Sequence, residues 1–202
     1  VIPAMAAIDG GATSAEAVVS SESSDEVVPA STGVISADAG ELGEIMSGDR
    51  SLAIFFGSQT GNAAGLAEKT AKMAANYGLE PTVIDMDGYN PADFSAHKRV
   101  LIITSTWGEG EMPDNADALW NATVASKPPL SNTHFSVCAI GDTSYDEFCK
   151  AGLDWDEKFK ALGATCIEEI KLCDVDFEPP WLEWAPLALS KIACVDSSGT
   201  FH

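Results

Sequence analysis

The run Gly57-Ser58-Gln59-Thr60-Gly61-Asn62-Ala63 follows an apolar stretch, SLAIFF, and opens a helical one. Small and hydroxylated residues let backbone N–H and side-chain O–H groups converge on one anion, and a helix N-terminus adds partial positive charge there. That is phosphate-binding chemistry. The Gly-Lys-Ser/Thr of a triphosphate loop is missing and the run contains no Lys or Arg. Neutral donors suit a buried monophosphate ester better than a triphosphate with its magnesium. Taken alone, the run is also consistent with a plain turn and helix cap.

Two further runs have the same placement, after an apolar stretch and before a helical one. Ser105-Thr106-Trp107-Gly108-Glu109-Gly110-Glu111-Met112-Pro113-Asp114-Asn115 sets two glycines around Glu109, so the backbone there can take positive φ or change conformation. Trp107 is a large flat side chain suited to covering a planar ligand. Ile140-Gly141-Asp142-Thr143-Ser144-Tyr145-Asp146-Glu147-Phe148-Cys149 offers a second flat ring in Tyr145. One phosphate loop and two aromatic-bearing loops together describe a site for a flat, phosphorylated cofactor. No residue has the setting of a general base or nucleophile, so no catalytic residue is assigned. Cys149 reads as a small packing residue. His97, His134 and His202 are scattered, and no metal site is expected.

The elements that must position these loops alternate. Apolar runs SLAIFF (51–56), TVIDM (82–86), RVLIITS (99–105) and FSVCAIG (135–141) read as strands buried on both faces, and TCIEEIKL (165–172) as an edge strand. Helical spacing marks 62–76 (Leu66, Thr70, Met73 and Tyr77 on one side, a Glu68–Lys72 pair on another). It also marks 114–125 (Asp114 as N-cap, Leu119 and Val124 apolar), 150–162 (Ala151, Trp155, Phe159, Leu162) and 180–193 (Trp181, Trp184, Leu187, Leu189). Strand–helix alternation with short loops predicts a doubly wound parallel α/β sheet, with its ligand at the carboxyl ends of the strands.

Residues 51–202 hold every aromatic of the 202-residue chain and read as one domain. Residues 1–50 have none, carry nine acidic side chains and one basic, Arg50, and read as an Ala/Ser-rich linker or tail. The formal net charge of −20 disfavours nucleic acid and anionic membrane, and by itself fits equally a surface that attracts a basic protein partner and one whose charge only keeps the protein in solution. Five cysteines without a C-x-x-C spacing point to free thiols in a reducing compartment, hence an intracellular location, cytoplasmic or organellar. No apolar run approaches the roughly 20 residues that span a bilayer.

SQTGNA, STWGEG…PDNA and GDTSYDEFC, in this order and spacing over residues 51 to about 192, resemble the FMN domains of the diflavin reductase family, and the third string is most similar to the sulfite reductase flavoprotein. The resemblance implies a flavodoxin-like five-stranded sheet of order 2-1-3-4-5. It implies FMN as cofactor, with Ser58, Gln59, Thr60, Gly61, Asn62 and Ala63 at its phosphate. Ser105, Thr106, Trp107, Gly108, Glu109 and Gly110 would border one side of the flavin ring. Ile140, Gly141, Asp142, Tyr145, Phe148 and Cys149 would border the other, with Asp174 nearby. Relatives often have Tyr or Gln where Trp107 stands. The resemblance also implies that the Gly108–Glu109–Gly110 backbone reorients on reduction, and that acidic groups around the ring disfavour an anionic reduced flavin. FAD and NADP(H) are expected on other domains. The implied partners are an FAD/NADP(H)-binding reductase domain and a basic donor or acceptor surface, such as an iron–sulfur protein. The parent enzyme would be like sulfite reductase or like pyruvate:NADP+ oxidoreductase. A free-standing flavodoxin carrier, an autonomous quinone reductase and a non-flavin receiver domain are the alternatives.

Overall fold

A computed structural model describes residue 43 and residues 45–202. The linker or tail expected over residues 1–50 therefore lies outside the described residues, apart from its last few. Six strands form one parallel sheet: β1 (Ser51–Gly57), β2 (Glu80–Asp85), β3 (Arg99–Ser105), β4 (His134–Ile140), β5 (Thr165–Cys166) and β6 (Lys171–Cys173). Their order is β2-β1-β3-β4-β5, and β6 also pairs with β4. Between them run α1 (Asn62–Ala74), α2 (Asp114–Ser126), α3 (Lys150–Ala161) and α4 (Glu178–Ile192). This is the doubly wound α/β sheet that the alternation predicts.

The two-residue period of a strand sends neighbouring side chains to opposite faces. Leu52 and Ile54 of β1 join Leu101 and Ile103 of β3 in a core closed by α1 and by Trp181, Trp184 and Leu189 of α4. Ala53 and Phe55 join Val100, Ile102 and Val137 in a second core closed by Leu119 of α2 and by Trp155 and Phe159 of α3. Strands β3 and β4 are buried almost throughout. Strand β2 starts two residues earlier than expected and is only partly buried, because among the described residues it is the edge of the sheet and pairs with β1 alone.

Four other expectations are corrected. The run 165–172 is not one strand but two short ones. Pairing with β4 lapses at the doublet Glu168–Glu169, where the Cys166 thiol turns back onto the Glu168 carbonyl at 3.0 Å. Asp114 is the first helical residue of α2 and the cap position falls on Pro113, whose carbonyl accepts the Ala116 and Asp117 N–H groups (2.8 and 3.1 Å), while the Asp114 carboxylate is engaged by Gln59 Nε2 at 2.9 Å. The exposed residues Val124 and Leu187 lie on the solvent sides of their helices, outside either core. In α1 the charged contact is made by Lys69, to Glu178.

Where α3 crosses β4, Gly152 lets the helix touch the strand. A Cβ there would lie 2.2 Å from the Ala139 Cβ and 3.1 Å from its Cα. Neither atom can rotate away. Gly152→Ala is expected to destabilise the fold by about 2 kcal/mol or more, read as a lowered urea midpoint with unchanged slope, in spite of alanine's better helix propensity.

The pole opposite the loops is closed by two arginines. Arg99, fully buried at the start of β3, donates Nε and Nη2 to the Val195 carbonyl (2.9 and 2.6 Å), Nη1 to Ser51 O (3.2 Å) and Nη2 to Asp49 O (3.0 Å). Arg50 donates to Gly78 O (3.1 Å), Ile45 O (2.8 Å) and Ala193 O (2.9 Å). Arg50, counted with the tail by composition, is thus buried within the folded unit. A hairpin follows, with Val195 bridged to Phe201 and Asp196 accepting from the N–H groups of Ser198 (2.8 Å) and Thr200 (2.9 Å).

Candidate functional site

The chain leaves β1 toward β2 on one side and returns to β3 on the other, so the sheet reverses direction between β1 and β3. Ligands of doubly wound sheets bind outside the carboxyl ends of the strands at this point. The loops after β1, β3 and β4 meet there around a cleft of about 520 Å³, within the roughly 300–1,000 Å³ typical of small-molecule sites.

The first loop is built to present donors. Gly61 sits at φ +89°, and its N–H is held by the Ser58 hydroxyl at 3.0 Å. The first N–H groups of α1 have no partner within the helix, as at any helix start. They open beside Thr60 and Asn62, which line the cleft with Gln59. The residues lining it include no Lys or Arg, so a phosphate there would rest on neutral donors and the helix dipole. Ser58 and Ala63 support this loop from outside the cleft. The Ser58 N–H is donated to Asn115 Oδ1 at 2.8 Å, and Ala63 is buried in the α1-side core.

The second loop is a tight hairpin. Trp107 N–H donates to Glu111 O (3.0 Å) and Glu111 N–H to Trp107 O (2.8 Å), with Gly108 at φ +54° and Gly110 at φ +119° between them. Positive φ at both glycines is the conformation expected of this run. Ser105, Thr106, Trp107, Gly108 and Glu109 line the cleft. Gly110 instead backs onto the third loop, where a Cβ would come 2.9 Å from the Glu147 Cβ. The Thr106 N–H donates to Ile140 O at 2.9 Å and its Oγ1 accepts from Ala151 N–H at 3.1 Å, which locks this loop to the next.

The third loop contributes Ile140, Gly141, Asp142, Tyr145, Glu147 and Cys149 to the lining. A Cβ at Gly141 would lie 2.7 Å from the Cys149 backbone N and 3.0 Å from a Phe148 ring carbon, so only glycine lets the loop close there. Phe148 supports Gly141 from behind. Asp174, at the end of β6, accepts from the Thr143 N–H (3.1 Å) and hydroxyl (2.6 Å). These bonds hold its carboxyl below the usual range. It ties the loop down and does not line the cleft.

Trp107 and Tyr145 line the same cleft from different loops, each about half exposed (49% and 50%). Large aromatic rings left half exposed at a cleft mouth are suited to stacking on a flat ligand. Apolar Ile140 and buried Cys149 lie deeper. Burial pushes the Cys149 thiol up to about 12, and its Sγ faces the Ala139 carbonyl at 3.4 Å. Burial that holds the thiol in its neutral form disfavours nucleophilic reactivity. In folded protein at pH 8, iodoacetamide is expected to leave Cys149 unmodified, and unfolding in urea to expose it. Peptide mass mapping checks this.

Acidic side chains dominate the rim. Behind Trp107 a second groove is lined by Glu109, Glu111, Met112, Asp114 and Asp117. Glu147 belongs to the acidic groups that the resemblance sets around the ring, with Glu109, Glu111, Asp142 and Asp146. Thr143 and the Asp114–Asn115 pair are not among the cofactor residues it implies, and their place in the strings GDTSY and PDNA is the signal that could have found them. Among the described residues no group of His, Cys, Asp and Glu could hold a metal ion. No helix among them is long and apolar enough to cross a membrane.

The sheet order and its flanking helices define a flavodoxin-like fold, with a cleft at the switch point of a 2-1-3-4-5 sheet. Residues 54–184 match the Flavodoxin family, and the chain belongs to it. It is 42% identical over 149 residues to the sulfite reductase [NADPH] flavoprotein alpha-component of Vibrio parahaemolyticus, covering 73% of this chain and 24% of that protein. It is 43% identical over 143 residues to the same component of Aliivibrio fischeri, covering 70% and 24%. The chain thus spans about a quarter of the length of these homologues. Among solved structures, a Streptococcus pneumoniae flavodoxin superposes with a TM-score of 0.63 at 29% identity, covering 71% of this chain and 97% of that one. A cysteine-to-alanine variant of Pseudomonas aeruginosa flavodoxin gives 0.60 at 28%, covering 68% and 98%.

Proposed function

We propose that residues 51–202 are the FMN-binding electron-transfer domain of a multidomain NADP(H)-linked diflavin oxidoreductase. The observation that carries the reading is a single cleft lined both by residues of the first loop, which has no Lys or Arg, and by two half-exposed aromatic rings from two other loops. The site residues are those given above for the phosphate and the ring. Bound FMN supplies one-electron and two-electron redox chemistry, while the protein sets orientation and electrostatics. Here the first loop and the start of α1 would hold the phosphate. Trp107 and Tyr145 would cover the ring. The Gly108–Glu109–Gly110 backbone would adjust beside it, and Glu109, Asp142 and Glu147 would keep the ring's surroundings negative.

The chain before residue 51 would act as a linker or tail. FAD and NADP(H) would reside on other domains, and electrons would pass between that reductase domain and another redox centre, in a sulfite reductase-like or pyruvate:NADP+ oxidoreductase-like enzyme. Similarity to sulfite reductase flavoprotein components favours this over a free-standing carrier. The structural likeness to flavodoxins, most of whose length it matches, keeps the free carrier as the second reading.

The rim charge predicts how a partner docks. Mixed with the NADPH-reduced FAD domain of a sulfite reductase flavoprotein, the FMN-loaded chain is expected to be reduced at a rate that falls several-fold between roughly 50 and 500 mM salt. Absence of reduction, or a rate indifferent to salt, would count against the electron-transfer assignment. Stopped-flow absorbance reads both.

A further inference from the structure

The loops that carry Trp107 and Tyr145, residues 105–115 and 140–150, contain six carboxylates and a single cation, Lys150. Lys150 is the first residue of α3 and follows Cys149, which lines the cleft. Lys150 itself stands just behind the lining. A Cβ at Gly110 would lie 3.5 Å from Lys150 Cγ, so the stem of this side chain packs against the hairpin that presents Trp107. Its N–H donates to Glu147 O at 3.2 Å, and its ammonium pairs with Asp154 one turn along α3.

Helix stability does not account for a lysine here. The N-terminus of a helix is its positive end, so a cation in the first turn is unfavourable, and α3 has no acidic residue in that turn to offset it. Lys ahead of Asp at i,i+4 is also the weaker order for such a pair. The Asp156–Lys160 pair of the same helix, at 2.7 Å, has the stronger order. With side chains 41% and 23% exposed, the Lys150–Asp154 pair contributes little to folding. Residues that break local rules concentrate where function requires them.

Lys150 and the start of α3 together supply positive potential beside the two aromatic rings, against the negative potential of the rim. A flavin that takes up two electrons and one proton ends one unit more negative than it began. We propose that Lys150 is an electrostatic tuning residue, whose charge favours the reduced flavin over the oxidised one and offsets the acidic rim. Asp154 opposes it by holding the ammonium on the helix. The inference rests on the proposed FMN site, with the electrons arriving from the reductase domain proposed above, and it names a residue that sets the redox preference of that site.

The test compares the affinity of the full chain for oxidised FMN with its affinity for FMN reduced anaerobically by dithionite. In Lys150→Gln, binding of reduced FMN is expected to weaken on the order of five-fold, the scale of one unit charge acting through partly hydrated protein, with oxidised FMN bound within about two-fold of wild type. By linkage the same ratio appears in the redox couple. It is read as a fall of about 40 mV in the more negative of the two one-electron midpoint potentials, ten-fold being about 59 mV. Asp154→Asn removes the opposing carboxylate and releases the ammonium, and is expected to shift the ratio the other way. Opposite shifts in the two variants support the inference, because a merely structural role would weaken both redox states alike. A ratio unchanged in Lys150→Gln, or moved in the same direction by both variants, overturns it. Should Lys150→Gln fail to fold, the direction of the Asp154→Asn shift decides. Wild-type protein that takes up FMN in neither state overturns the FMN site itself and the inference with it, a result distinct from the others.

Discussion

Replacing Arg99 with methionine is expected to lower the unfolding free energy by about 4 kcal/mol, although the residue lies at the pole opposite the cleft. Methionine fills much of the space but returns no hydrogen bond. The carbonyl of Val195 loses its two bonds from this side chain, and those of Ser51 and Asp49 lose theirs. Of these only the Val195 carbonyl is in a buried residue, and it keeps no more than the long Arg50 Nη1 bond at 3.4 Å. A buried polar group left poorly paired costs about 1–3 kcal/mol, the two part-buried carbonyls add to it, and relief from burying a guanidinium offsets part of the sum. Burial, and then the neighbouring Arg50, oppose the charge on Arg99. The side chain is retained because it fastens the segment around Val195 and the one entering β1 to the sheet. Urea unfolding followed by tryptophan fluorescence measures the loss, and a decrease under 1 kcal/mol would mean that water replaces the lost donors. The FMN affinity of the folded variant is expected to stay within a few-fold of wild type, because no atom of the cleft is touched.

The second large effect is on the ligand. With Trp107 and Tyr145 both changed to alanine, FMN is expected to bind at least a hundred-fold more weakly. Stacking of an aromatic side chain on a flat heterocycle contributes roughly 1–3 kcal/mol per ring, and 1.4 kcal/mol is a factor of ten. Each ring is half exposed in the structure, so its removal leaves no cavity and little change in stability is expected. Affinity is read from quenching of flavin fluorescence. A double variant binding within ten-fold of wild type would show that the loop backbones alone hold the ring. Trp107→Tyr, which keeps a flat ring at that position, is expected to retain most of the binding while shifting the separation of the two one-electron midpoint potentials.

Much of this was legible in sequence because it depended on local pattern. Continuous apolar runs bounded by loop residues located β1, β3 and β4, and the small or aromatic residues just after them located the cleft. The less legible features depend on residues far apart in the chain. Asp114 reads as a helix cap by type, yet its backbone is bound by Gln59, 55 positions earlier. Arg50 reads as the end of a polar tail, but its donors find carbonyls more than 140 positions away. Glu147 lines the cleft because Gly110 has no side chain to keep it out, a complementarity visible only once the two loops are adjacent. The run 165–172 has strand composition throughout, and composition carries no mark of where a ladder will lapse. Ser58, Gly61, Ala63, Gly110, Phe148 and Asp174 shape the cleft from behind, a distinction that motif position does not encode.

The visible absorption spectrum of the purified chain, recorded after addition of FMN and then during stepwise anaerobic reduction, tests the FMN assignment most directly. Flavin bands at one FMN per chain, released as FMN on heating and bleaching in two resolved one-electron stages, are the expected result. A colourless protein that takes up no added FMN would contradict the assignment.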